Sequence, residues 1–328
     1  MTLVWILIGV LAVLLAAIVT ITVFLYRFGL FSPPDKRKDI WATPPTVRTD
    51  KNGTPYDPYG WKDQIYEADQ RLFARASSAE RLTIRSHDGL TLAARYIPPE
   101  KGDPRAIVLM VHGYRSDPIN DFSCGARDML AMGLGCLLIE HRAHLTSEGD
   151  TITFGVMERY DVLAWTRYLA ERFSGTPVIL DGISMGATTV MMASALDLPD
   201  NVRGIVADCG FTSMDDMFRG IIGKWFHLPA WPFIPLASLY CRMKNGFGFA
   251  DVTAQDSLLQ AKVPVLIAHG TGDTFVPFEM GERIYSAVRG KIDVTFIRAD
   301  GANHGLSYLC AYDEYRREFA RLVERATK

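Results

Sequence analysis

Six uninterrupted apolar runs, separated by stretches of helical spacing, constrain this chain more than any other feature. They lie at 106–111, 136–140, 178–181, 204–208, 265–269 and 294–297. A strand without polar alternation is buried on both faces, and such strands belong to parallel sheets with helices packed on either side. The intervening segments 121–132, 156–173, 185–196 and 308–326 carry helical periodicity. Ahead of them, 81–86 and 90–97 flank His87-Asp88-Gly89, and Asp-Gly between two strand-like runs signals a hairpin. The expectation is an α/β domain with a mostly parallel eight-stranded sheet, helices on both faces and an antiparallel edge.

The N-terminus is a different physical object. From Leu3 to Tyr26 there is no charged side chain, and Leu, Ile, Val and Ala dominate. That run exceeds the roughly 20 residues needed to cross a bilayer core, and it is too long for the apolar part of a secretory signal. Residues 1–28 are read as a transmembrane anchor, with Trp5 and Tyr26 as interfacial aromatics. Arg27, Lys36, Arg37 and Lys38 follow the span and no Lys or Arg precedes it, so the expected location is a single-pass membrane protein with its catalytic domain cytoplasmic. Residues 29–60, with Pro33-Pro34 and Pro44-Pro45, read as a linker or strap, and 61–328 as the folded domain, beginning with a helix at 61–76. Between Phe211 and about Leu259 no strand pattern appears. Trp225, Phe226, Leu228, Trp231, Phe233, Ile234, Leu236 and Tyr240 crowd there, so about 212–260 is expected to form a helical lid over the sheet's C-terminal edge, where open α/β sheets bind ligands.

A formal net charge of −2 gives no basic surplus, and no nucleic-acid partner is expected. The five cysteines show neither a disulfide framework nor metal-ligand spacing. Neither a metal nor another cofactor is expected, nor an obligate protein partner.

The chemistry converges on Gly182-Ile183-Ser184-Met185-Gly186, a G-x-S-x-G between a strand and a helix. On such a turn the serine is presented at the sheet edge and the helix N-terminus faces the developing oxyanion. A serine hydroxyl needs a neighbouring base, and histidine, with an ordinary pKa of about 6.5, can take and return its proton. Of seven histidines, His304 follows the last strand and comes after the serine in chain order. His112 and His269 end strands and are read as loop-holding residues. The acid belongs between serine and histidine; Asp273, just beyond 265–269, is preferred over Asp208, and Asp300 is too near His304 in sequence. The backbone N–H groups of Tyr114 and Met185 are the expected oxyanion donors.

These residues resemble the α/β-hydrolase superfamily from about Arg81 onward, and within it the anchored bacterial hydrolases of the serine aminopeptidase-like group. The stretches that carry the resemblance are 111–115, 181–189, 207–213, His269-Gly270 with Asp273 and Val276-Pro277, and Ala302-Asn303-His304-Gly305. The resemblance implies the α/β-hydrolase fold and metal-free acyl transfer through a covalent acyl-serine. One departure stands out: relatives commonly have Asp-x-Arg-Gly-His-Gly where this chain has Glu140-His141-Arg142-Ala143-His144-Leu145, so both glycines are replaced.

The function expected is hydrolysis of a carboxylic ester with an apolar or lipid-like acyl group. Thioester or peptide cleavage would use the same triad, and a non-catalytic, membrane-anchored binding protein is the alternative of another class.

Overall fold

The computed structural model describes residues 2–37, 39–49, 53–55, 57 and 59–328; Lys38 lies outside the described residues. In chain order the elements are α1 (Thr2–Leu30), α2 (Lys62–Ser77), β1 (Glu80–Arg85), β2 (Thr91–Ile97), β3 (Ile107–Val111), α3 (Pro118–Ala131), β4 (Gly135–Ile139), α4 (Glu158–Arg172), β5 (Val178–Ile183), α5 (Met185–Ala193) and β6 (Val202–Asp208). They continue with α6 (Met214–Phe226), α7 (Ala230–Asn245), α8 (Ala254–Leu258), β7 (Val265–Gly270), α9 (Phe278–Val288), β8 (Val294–Ala299), α10 (Ser307–Cys310) and α11 (Tyr312–Ala326). Two compact units result: Ser32–Thr212 with Ala254–Lys328, and the residues up to Phe31 with Ser213–Thr253.

The larger unit holds one eight-stranded sheet in the order β1-β2-β4-β3-β5-β6-β7-β8. β2 pairs antiparallel with both β1 and β4, and all other neighbours are parallel. At the β1–β2 turn Gly89, at φ 86°, donates its N–H to the Ser86 carbonyl (3.1 Å). The period of two explains why the central strands look wholly apolar. In β3, Ile107, Leu109 and Val111 enter one core with Val162, Trp165 and Leu169 of α4 and Val190 of α5. Val108 and Met110 enter the other with Ile119, Phe122 and Ala126 of α3 and Phe319, Leu322 and Val323 of α11.

Several boundaries differ from the sequence reading. Residues 274–277 form a turn capped by Asp273, and α9 begins at Phe278. The closing helix is broken at Ala311 (φ −111°, ψ 35°) into α10 and α11. Residues 254–258 form α8, whose Ala254 and Leu258 are buried in the sheet's core, so the insertion ends at Thr253. The segment read as a linker is tied down at intervals. Ser32 Oγ donates to the Ala143 carbonyl (2.7 Å), Arg37 Nη1 to that of Ser147 (2.8 Å), and Trp41 Nε1 to Glu140 Oε1 (2.7 Å). Arg48 grips the buried Asp69 through Nε (2.9 Å) and Nη2 (2.5 Å).

In the smaller unit α1 is long and apolar enough to cross a bilayer, with a mean hydropathy of 3.0 over its best 18-residue window. Ser213 caps α6 by accepting from the Asp216 N–H (3.1 Å); His227 and Gly246 end α6 and α7 in the left-handed conformation. Tyr26 is buried: Tyr240 meets its ring edge-on at 4.8 Å, and Asn245 Nδ2 donates to its hydroxyl at 2.5 Å. Gly29 lies flat on Phe218, where any Cβ would come within 2.6 Å of the ring.

Candidate active site

Ser184, Asp273 and His304 follow the C-terminal ends of β5, β7 and β8, and the structure brings all three together. His304 Nε2 lies 2.9 Å from Ser184 Oγ, and His304 Nδ1 lies 2.7 Å from Asp273 Oδ2. With Nδ1–H donated to the carboxylate, the Nε2 lone pair is free to accept the serine proton.

The local fold around the serine is forced. Ser184 has φ 58° and ψ −115°, a strained turn between β5 and α5. A Cβ on Gly182 would sit 2.3 Å from the Gly186 carbonyl oxygen, and one on Gly186 would sit 1.7 Å from that of Val111. Both positions therefore exclude any side chain, which is the physical content of the G-x-S-x-G pattern. The Ser184 N–H donates to the Asp208 carbonyl (2.8 Å), fixing the turn to β6.

Asp273 is held by the turn it caps. Its Oδ1 accepts from the N–H groups of Phe275 (2.8 Å) and Val276 (2.9 Å). Burial alone would raise its pKa, but the facing His269 and His304 and the Phe275 N–H prevail and hold it well below the usual carboxylate range. Asp208 instead accepts from Ser307 Oγ (2.6 Å) and makes no hydrogen bond to His304. Its burial pushes the pKa up to about 6. Behind it Asp181, with Oδ1 unpartnered among the described residues, is raised to about 8 by burial and then by Asp208.

The loop after β3 borders the serine: a Cβ on Gly113 would lie 3.2 Å from Ser184 Cβ. Tyr114 thus sits one residue from that contact, and Met185 is the first residue of α5, where an N–H has no intrahelical acceptor. Asp121 braces this loop, accepting from the Gly113 N–H (2.6 Å) and Ser116 Oγ (2.6 Å). His112 and His269 hold loops as expected, through the Gly113 carbonyl (2.9 Å) and the Val276 carbonyl (3.0 Å).

Three further residues escaped the sequence reading. His144 Nε2 accepts from the Arg115 N–H (3.0 Å) while Nδ1 faces the Arg142 carbonyl (2.9 Å), so it buttresses the loop after β3. Burial and the neighbouring His112 lower its pKa to about 3, which keeps that acceptor unprotonated. Arg142 is clamped between Asp161 (2.6 and 2.7 Å) and Asp88 (2.8 and 3.1 Å), and the positions where glycines are lost, Ala143 and Leu145, retain left-handed φ values of 60° and 45°. Tyr59, from the strap, donates to the Gly301 carbonyl (2.7 Å) and accepts from the Asn303 N–H (3.0 Å), steadying the turn that presents His304. The one available signal was the departure at 140–145; nothing local marks Tyr59.

The serine opens onto a cleft of about 520 Å³ lined in part by Arg48, Tyr114, Arg115, Ile183, Phe275 and Leu306. A cleft of about 590 Å³ around 194–203 and 260–263 contains none of these groups. Two described clusters have metal-ligand spacing. In Cys209-Asp273-His304, burial drives the Cys209 thiol well up, disfavouring the thiolate a metal requires, and His304 is engaged with Asp273. In His87-Asp88-Asp161, both carboxylates are occupied by Arg142.

Residues 102–239 match the family model for serine aminopeptidase, S33, a span that includes Ser184 and stops before Asp273 and His304. The uncharacterized protein YqkD of Bacillus subtilis is 26% identical over 242 residues, 74% of this chain and 78% of that protein. The esterase Pf2001 of Pyrococcus furiosus superposes with a TM-score of 0.61 at 21% identity, covering 76% of this chain and 93% of that one. An acylaminoacyl peptidase of Pyrococcus horikoshii gives 0.57 at 17% identity, covering 76% and 42%. At such identities the two solved structures speak for the fold alone. With its strand order, its serine turn after β5 and its likeness to these solved structures, the chain has the α/β-hydrolase fold.

Proposed function

We propose that this protein is a serine hydrolase that cleaves a carboxylic ester through an acyl-serine intermediate. The observation that carries the reading is the continuous Ser184–His304–Asp273 relay, with contacts of 2.9 and 2.7 Å. His304 removes the Ser184 proton as Oγ attacks the ester carbonyl, and the Tyr114 and Met185 N–H groups receive the oxyanion. The imidazolium, stabilised by Asp273, returns its proton to the leaving alkoxide. Water then repeats the sequence on the acyl-enzyme and frees the acid.

The cleft favours an ester over an unblocked peptide. Among the described residues lining it, Asp121 is a carboxylate already committed to Gly113 and Ser116, whereas recognition of a free α-amine calls for an available one. The match to the serine aminopeptidase family supports peptide cleavage as the second reading. Comparing p-nitrophenyl esters of increasing acyl length with aminoacyl p-nitroanilides separates them. Ester turnover with a burst of one equivalent per serine is expected; faster anilide turnover would reject the ester assignment.

The same reading makes α1 a membrane anchor, with the catalytic unit on the cytoplasmic side because Arg27, Lys36 and Arg37 follow the span. A C-terminal reporter that matures only in the cytoplasm should be active; a silent reporter on a stable fusion would reverse the orientation.

A further inference from the structure

The insertion between β6 and α8 folds onto α1. Along α1, the large apolar side chains from Leu3 to Leu15 are at least half exposed, whereas Thr22, Leu25, Tyr26, Gly29 and Leu30 are buried. The covering residues come from α6 and α7: Phe218 beneath Gly29, Phe226 edge-on to Phe28 (5.5 Å), and Tyr240 and Asn245 on Tyr26.

Length decides where this contact falls. At about 1.5 Å per residue, a 29-residue helix extends about 43 Å, against a hydrocarbon core of about 30 Å. About nine residues are surplus to the crossing, and Thr22–Leu30, the stretch that α6 and α7 cover, is nine residues long. A crossing by the exposed part of α1 would set the insertion at the depth of the headgroups. Lys244, whose ammonium stands 5.9 Å from the Tyr26 ring centroid, marks the same level.

α7 also has two unlike faces. Phe233, Ile234, Ala237 and Cys241 point inward. Pro235, Leu239 and Met243, spaced by four along the helix, are exposed, Leu239 at 53% and Met243 at 78%; Trp231, whose non-helical backbone (φ −91°, ψ 135°) makes a kink ahead of them, is 76% exposed, and Trp225, at the end of α6, 48%. Three apolar residues in register along one exposed helix face, with two exposed tryptophans in the same unit, have no role in a water-facing surface. The unit carries five Lys and Arg against three Asp, a balance that suits phosphate headgroups.

We propose that the outward face of α7 is a lipid-contact surface: Trp231, Pro235, Leu239 and Met243, with Trp225, lie at the boundary of headgroups and acyl chains beside the exit of α1. This rests on α1 spanning the bilayer, and the test separates the two. Spin labels are placed singly at Trp231→Cys, Leu239→Cys and Met243→Cys in the full chain, with the partly accessible Cys124 and Cys310 changed to serine. The protein is reconstituted in nanodiscs of zwitterionic and anionic phospholipid, with Leu11→Cys on α1 and Arg321→Cys on α11 as lipid and water references. Relaxation by oxygen, relative to an aqueous nickel chelate, should be several-fold higher at 231, 239 and 243 than at 321. Water-like ratios at these sites with a lipid-like Leu11 would overturn the surface and leave the anchor intact. Shielding from both reagents would mean that protein covers the stripe, which also overturns it. A water-like Leu11 would remove the anchor and the inference with it.

Discussion

Three neighbouring strands of the sheet, β3, β5 and β6, each run into a non-glycine residue with left-handed backbone: Arg115 (φ 50°), Ser184 (φ 58°) and Cys209 (φ 50°). In the 213–253 insertion only His227 does so among the described residues, and it merely ends a helix. The rim of the sheet holds strain because cores on both faces fix every strand, and its atoms are positioned by backbone hydrogen bonds. The insertion is instead joined to α1 largely by rings, Tyr240 on Tyr26 and Phe226 on Phe28, with Asn245 donating to the Tyr26 hydroxyl. Geometry is specified at the rim, while in the insertion only the apolar character of a face is specified. Substitutions at the rim should therefore act through position, and substitutions on the insertion's surface hardly at all.

The largest effect is expected at the relay itself. Ser184→Ala and His304→Ala should each lower kcat by about 10⁴–10⁶, and the double variant should lose little more, because the two act as one unit. Full additivity in ester kinetics would show that they do not. Asp273→Asn comes next, with a loss of about 10³–10⁴, against less than tenfold for Asp208→Asn. The reverse order would move the acid to β6.

Gly186→Ala tests the rim through stability, since its methyl must displace the Val111 carbonyl from 1.7 Å. A cost above about 3 kcal/mol, at the top of the usual overpacking range, should appear as a large drop in Tm. Asp181→Asn should act more gently and depend on pH. Between the ordinary carboxyl pKa and about 8, the unfolded chain is ionised at this position while the folded chain keeps its proton. Stability of the native protein should thus fall as pH rises through that window, by at most about 1.4 kcal/mol per unit, and level off above it. The variant should lose less Tm between pH 5 and pH 8; an identical slope would deny Asp181 its proton. The smallest effect is expected at Leu239→Ser, within about 0.5 kcal/mol in detergent. A larger loss would mean that the outer face of α7 is packed.

Legibility followed the same division. Six apolar runs exposed the parallel sheet because a strand buried on both faces has no other pattern, and G-x-S-x-G marked Ser184 because Gly182 and Gly186 have no room for Cβ. Chain order pointed to Asp273 and His304. Tyr59, Arg37 and His144 stayed hidden because each acts on backbone groups remote in the chain, and such bonds leave no periodic trace. The insertion's apolar composition was plain, but its grouping with α1 depends on Gly29 meeting Phe218 and Tyr26 meeting Tyr240, pairings that neither segment announces alone.

Covalent labelling tests the serine most directly. The detergent-solubilised full-length protein, treated with a fluorophosphonate and digested, should yield one modified peptide bearing the adduct on Ser184, and His304→Ala should suppress it. A folded protein that remains unlabelled, or that carries the adduct on another residue, would contradict Ser184 as the activated nucleophile.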